Sequence, residues 1–85
     1  VEYIIDNIKK MKDKTIFTKE HKLLIKKLKK ARMEAALNQN KVAKLLNKTQ
    51  SYVSKVESGQ RRVDIIQLKE FTKIYNKNIN YFLEK

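Results

Sequence analysis

An all-α fold is what this sequence predicts, on three observations. The chain has no Pro and a single Gly, Gly59, so the positive-φ turn residues that hairpins and β-sandwiches need are scarce. Apolar residues recur at helical spacing: Leu24, Leu28, Ala31 and Ala35 lie four, three and four apart and make one buried stripe. Residues that cap helices (Thr18, Asn38, Thr49, Asp64 and Asn78) punctuate the chain between apolar stretches. At 85 residues there is room for one domain with one modest core.

The elements follow in order. Tyr3, Ile4, Ile8 and Met11 predict a short amphipathic helix within residues 1–17, broken at Asp13-Lys14-Thr15, with Ile16-Phe17 docking on the rest. Thr18 caps a long helix that runs to about Ala36, with Lys22, Lys26, Lys29 and Lys30 mostly on its outer faces. Asn38 then caps a short helix from Gln39 to about Leu46. Asn47 tolerates the left-handed conformation that ends a helix, and Thr49 caps a third, from Gln50 to about Ser58, closed by Gly59. Residues 60–63 read as a basic loop. Asp64 with Gln67 forms a capping-box pattern for a fourth helix, with Ile65, Leu68, Phe71 and Ile74 or Tyr75 inward and Asn76 at its end. Asn78 caps a last turn or two through Ile79, Phe82 and Leu83. The expected division is an N-terminal extension, 1–18, and a domain, 19–85.

Charge narrows the function. Twenty-one Lys+Arg against nine Asp+Glu give +12, a surplus that suits a polyanion, nucleic acid first and an anionic membrane surface second. Lysine used merely as a solubiliser is the competing explanation, so placement matters. Residues 39–62 hold six basic side chains (Lys41, Lys44, Lys48, Lys55, Arg61, Arg62) and one acid, Glu57. With no Cys there is neither a disulfide nor a thiolate zinc site. A phosphate-cradling Gly loop, a His–carboxylate cluster and metal-ligand spacing are all missing, which argues against an enzyme, a cofactor or a metal. His21 stands apart from any ligand partner and fits a surface or first-turn role. No signal-peptide pattern and no apolar run of about 18 residues appear, so a cytoplasmic, nucleoid-associated protein without a membrane span is expected.

The stretch from Gln39 to Ser58 has the spacing of a helix-turn-helix. Two helices crossing steeply over a short turn need a small residue midway along the first, here Ala43, and an αL-tolerant residue four positions later, here Asn47. Val42, Leu46, Val53 and Val56 would seal the pair onto the core. With Leu28-Lys29-Lys30-Ala31-Arg32 before it and Thr49-Gln50-Ser51-Tyr52-Val53-Ser54-Lys55-Val56-Glu57-Ser58-Gly59 at its end, the run resembles the phage repressor and Cro-type helix-turn-helix family over about residues 20–84. That resemblance implies a five-helix domain that binds a pseudo-palindromic duplex operator as a homodimer. The family usually has Gly where this chain has Asn47, often Gly where it has Ala36, and commonly Pro near Val63. Asn47 keeps the turn, whereas Ala36 suggests a more helical end to the first long helix.

Individual roles follow. Gln50, Ser51 and Lys55, outward at the start of the second motif helix, are the expected base readers: Gln suits adenine N6/N7, Lys suits guanine O6/N7 and Ser is permissive. The resemblance implies a phosphate bond for Gln39, aided by the N–H groups of its helix start. It also implies an internal ion pair between Arg32 and Glu57. Lys41, Lys44, Lys48, Tyr52, Ser54, Arg61 and Arg62 are placed on the DNA backbone, Tyr52 either through its hydroxyl or packed beside the helix. Tyr3, Tyr75, Tyr81, Phe17, Phe71 and Phe82 read as core or interface. Ile79, Tyr81 and Phe82, or the N-terminal segment, are the expected dimer surfaces. Two alternatives compete with a repressor. One is an antitoxin-type module that grips a protein partner through 1–18 or 81–85 and autoregulates its operon; the other is a membrane-surface helix over 19–30. RNA is disfavoured, because a helix cannot enter the deep, narrow A-form groove.

Overall fold

The computed structural model describes residues 18–83, and the N-terminal helix expected within 1–17 lies outside them. Among the described residues the fold is all-helical: α1 (Lys19–Glu34), α2 (Gln39–Leu46), α3 (Gln50–Ser58), α4 (Ile65–Tyr75) and α5 (Ile79–Leu83).

Each start is set by a local side-chain bond. The Thr18 hydroxyl accepts from the His21 N–H at 3.1 Å, the Asn38 amide oxygen from Lys41 at 2.8 Å, and the Thr49 hydroxyl from Tyr52 at 3.1 Å. Asp64 and Gln67 form a complete capping box, at 2.8 and 3.1 Å. Asn78 accepts from the Asn80 N–H and so opens α5.

The ends share one device. Ala36, Asn47, Gly59 and Asn76 all take positive φ, between 55° and 87°. At each, the next N–H reaches back to a carbonyl five residues earlier: Leu37 to Arg32, Lys48 to Ala43, Gln60 to Lys55 and Lys77 to Thr72. This Schellman closure satisfies carbonyls that the helix ladder leaves open. Ala36 departs from expectation. It does not extend α1, which stops at Glu34, but adopts the left-handed turn itself despite its Cβ.

The core is assembled from Leu28 and Ala31 of α1, Val42 and Ala43 of α2, Val53 and Val56 of α3, Leu68, Phe71 and Tyr75 of α4, and Phe82 of α5. Leu24, Ala35, Leu46 and Ile74 pack around it, partly buried. One placement differs from the periodicity. Ile65, in the first turn of α4, is 50% exposed, because that turn lies ahead of the part of the helix, from Leu68 on, that packs into the core. Of the two roles expected for His21, the first-turn one holds: its N–H meets the Thr18 cap, and the residue is buried and not on the surface. Phe82 is 3% exposed, with Ile79 and Tyr81 packed beside it, so this trio serves the chain's own core before any partner. Lys27 ties α1 to α5 by donating to the Tyr81 carbonyl at 2.9 Å, and Lys77 donates to Glu34 at 2.9 Å. No helix among the described residues is long and apolar enough to cross a membrane.

The left-handed Ala36 makes a direct prediction. A residue with a Cβ costs about 1–2 kcal/mol in this region, partly offset by the greater unfolded-state freedom of Gly. Ala36→Gly should therefore stabilise the chain by about 1 kcal/mol. Thermal melting should move up by roughly 4–8 °C; a lower melting point would show that Ala36 is not in this turn.

Candidate nucleic-acid interface

The site is built on the crossing of α2 and α3. Ala43, 3% exposed and without a bulky side chain, lets the two helices approach, and the left-handed Asn47 turns the chain between them. At about 100° per residue, Val53, Val56 and Glu57 share one side of α3. All three are buried. Ser51 and Lys55 fall on the opposite side and are exposed. Gln50 is exposed too, but its angular position is nearer Glu57 than Lys55, which brings it beside α2.

That placement joins four polar side chains. Arg32 of α1 donates from Nε to Glu57 Oε2 at 2.8 Å and from Nη2 to Oε1 at 3.1 Å, a bidentate pair. The hydrogen bond to Glu57 pushes the Arg32 guanidinium further above its usual range. Its Nη1 also donates to the Leu37 carbonyl at 3.0 Å, holding the turn between α1 and α2. Gln39, at the head of α2, donates from Nε2 to Glu57 Oε1 at 3.1 Å. Gln50, at the head of α3, donates from Nε2 to Gln39 Oε1 at 2.8 Å.

The direction of these last two bonds is dictated by chemistry. A carboxylate only accepts, so Gln39 must turn its NH₂ toward Glu57 and its oxygen toward Gln50. Gln50 must then answer with its own NH₂. Its Oε1 and second N–H take no part in that bond. Neither glutamine contact was expected from the sequence; the one signal for them is that a Gln heads each of the two adjacent helices.

The charge is sorted in the same way. Lys41, Lys44, Lys48, Lys55, Arg61 and Arg62 are all exposed, whereas Glu57, the one acid among residues 39–62, is turned inward at 3% exposure. Ser54 and Tyr52 are half-buried on the flanks of α3. Tyr52 lies against Phe71, with Lys48 and Arg61 both near its ring. Burial pushes its phenol up, and Arg61 opposes that rise. Among the described residues no group of His, Asp or Glu is disposed to hold a metal ion.

A family model described as helix-turn-helix matches residues 28–82, the segment that carries this whole arrangement. The chain belongs to the phage repressor and Cro-type helix-turn-helix family. No individual curated protein matches it. As a helix-turn-helix protein it is a DNA-binding regulator.

The buried ion pair should respond asymmetrically to truncation. Arg32→Met leaves Glu57 without a countercharge at 3% exposure, a loss of about 3 kcal/mol, since removing one buried partner strands the other. Glu57→Leu leaves an Arg32 side chain that is 18% exposed and can turn to water, so it should cost less. The double variant should be more stable than Arg32→Met. Urea unfolding of the three variants measures this, and simple additivity would exclude the coupling.

Proposed function

We propose that this regulator reads a short duplex operator by laying α3 in the major groove and represses transcription there. The observation that carries the reading is the exposure of Ser51 and Lys55 on the outer side of α3 and of Gln50 beside α2, backed by the Glu57–Gln39–Gln50 chain. An α-helix about 10–12 Å across fits a groove about 12 Å wide.

Gln50 is held with one acceptor and one N–H left over, the pair that adenine N6 and N7 require. Guanine offers two acceptors on that edge and would leave Oε1 unpaired. Lys55 suits guanine O6 and N7, and Ser51 accepts or donates. Gln39 orients Gln50 while keeping a second amide N–H for a phosphate. The N–H groups of residues 39 and 40, outside the helix ladder, support the same phosphate. Lys41, Lys44, Lys48, Arg61 and Arg62, with the Ser54 hydroxyl, take the flanking backbone, while Tyr52 packs beside the helix. Each cation–phosphate contact adds about 0.9 to the log–log salt slope.

One recognition helix reads only a few base pairs, so the reading includes a homodimer whose two α3 helices stand about 34 Å apart on a pseudo-palindrome. Because Phe82 belongs to the core, the dimer contact must use other residues than the Ile79–Tyr81–Phe82 trio alone. Sedimentation should show a dimer on the operator; a monomer at high concentration with and without DNA counts against it.

Selection from a random duplex library tests the whole. A palindromic consensus with an adenine in each half-site is expected. Gln50→Ala should lose the adenine preference, about 1–3 kcal/mol. Lys55→Ala should relax sequence preference, whereas Lys41→Ala should weaken all duplexes alike. No enriched consensus, or identical behaviour of the two lysine variants, would reject groove reading.

A further inference from the structure

Tyr52 is the third residue of α3, and its ring is stacked on Phe71 of α4, with centroids 6.5 Å apart and planes 11° from parallel. Phe71 is fully buried in the core, so the stack fixes the tyrosine from beneath. Two cations close on that ring from opposite ends of the helix in sequence. Lys48, in the turn before α3, has Nζ 5.5 Å from the centroid. Arg61, in the loop after α3, has its guanidinium carbon 5.0 Å from it. Both distances lie within the range in which a ring's negative face attracts a cation. The phenol is protonated, since burial raises it, so the attraction is that of a neutral ring and not of a phenolate.

We propose that Tyr52 is a positioning residue, whose ring gathers Lys48 and Arg61 on one edge of α3 so that both meet the backbone of one DNA strand together. The inference rests on the groove-reading function above and deepens it. Unrestrained, the two like charges would repel and both long side chains would sample many rotamers before contact. Held on one ring, they approach the duplex already grouped, and less ordering remains to be done on binding. The ring does this without touching the DNA itself. That separates the proposal from a direct hydroxyl–phosphate bond, which would release no counterion and leave the salt slope unchanged.

The test uses the full chain and a duplex recovered by selection, with affinity measured by fluorescence anisotropy across a KCl series. Lys48→Ala and Arg61→Ala should each flatten the log–log slope by about 0.9, the value of one phosphate contact. Tyr52→Leu should flatten it by roughly one to two. Tyr52→Phe, which keeps the ring, should restore most of that loss. Adding Lys48→Ala to Tyr52→Leu should flatten it little further. A merely structural role would lower the active fraction equally at every salt concentration and leave the slope alone, so an unchanged slope in Tyr52→Leu overturns the proposal. So does a Tyr52→Phe variant as impaired as Tyr52→Leu, which would assign the work to the hydroxyl. Should Tyr52→Leu fail to fold, the wild-type chain still decides: the Lys48 ε-methylene and Arg61 δ-methylene protons should be shifted upfield by the ring relative to those of Lys41, and unshifted resonances overturn it. A wild-type chain with no duplex affinity at any salt sinks the groove reading and this inference together. Normal affinity with unaltered slopes sinks only the inference.

Discussion

The Arg32–Glu57 pair is the constraint on which the rest of the structure depends. One guanidinium reaches a carboxylate on α3 with two nitrogens and the Leu37 carbonyl with a third. Three pieces of chain are thereby fixed: the end of α1, the turn into α2 that follows it, and the inner face of α3, 25 residues on. Buried charge is costly to desolvate and adds little net stability, so its value here is one of geometry. The pair sets where α3 lies and which way its outer edge faces. The unused capacity of Glu57 Oε1 extends the same order to Gln39 and Gln50. A side chain at 3% exposure thus governs the hydrogen-bonding sense of one on the surface.

The turns supply the second constraint. Four helices end in the same left-handed closure, and the chain has a single glycine for them, at Gly59. Asn at 47 and 76 is the next-best residue, since its short polar side chain tolerates positive φ. Ala36 has no such help. It is held there by its surroundings: Leu37, directly after it, is gripped on both sides by Arg32, whose carbonyl takes its N–H and whose guanidinium takes its carbonyl. The cost of the strained turn is offset by the same residue that organises the site, which ties local strain to tertiary order.

Charge is distributed by the same folding logic. Of the carboxylates near the α2–α3 face, Glu57 is withdrawn and Asp64 is engaged in capping. The basic residues of 39–62 remain outside. The field of the face is therefore positive without requiring a contact between any particular lysine and the core. Lys27 and Lys77, by contrast, are drawn onto Tyr81 and serve the packing of α5 against α1. Equal net charge in the two regions would not make them equal surfaces.

Helix starts, most helix ends and the central core positions were legible from the sequence, because they depend on interactions within three or four residues or on a period of 3.6. Thr18, Asn38, Thr49 and the Asp64–Gln67 box behave as their types dictate wherever a helix begins. Val42, Val53, Val56 and Phe71 are buried as their stripes require. Only the tertiary structure decided that Ala36 turns left-handed, that Ile65 faces water, that His21 is enclosed, that Gln39 links Glu57 to Gln50, and that Lys48 and Arg61 both close on the Tyr52 ring. Most of those depend on side chains that meet only once the helices are packed. Short-range patterning announced the α2–α3 crossing through Ala43 and Asn47 but not these contacts, because their energy comes from groups that meet only after the chain has folded.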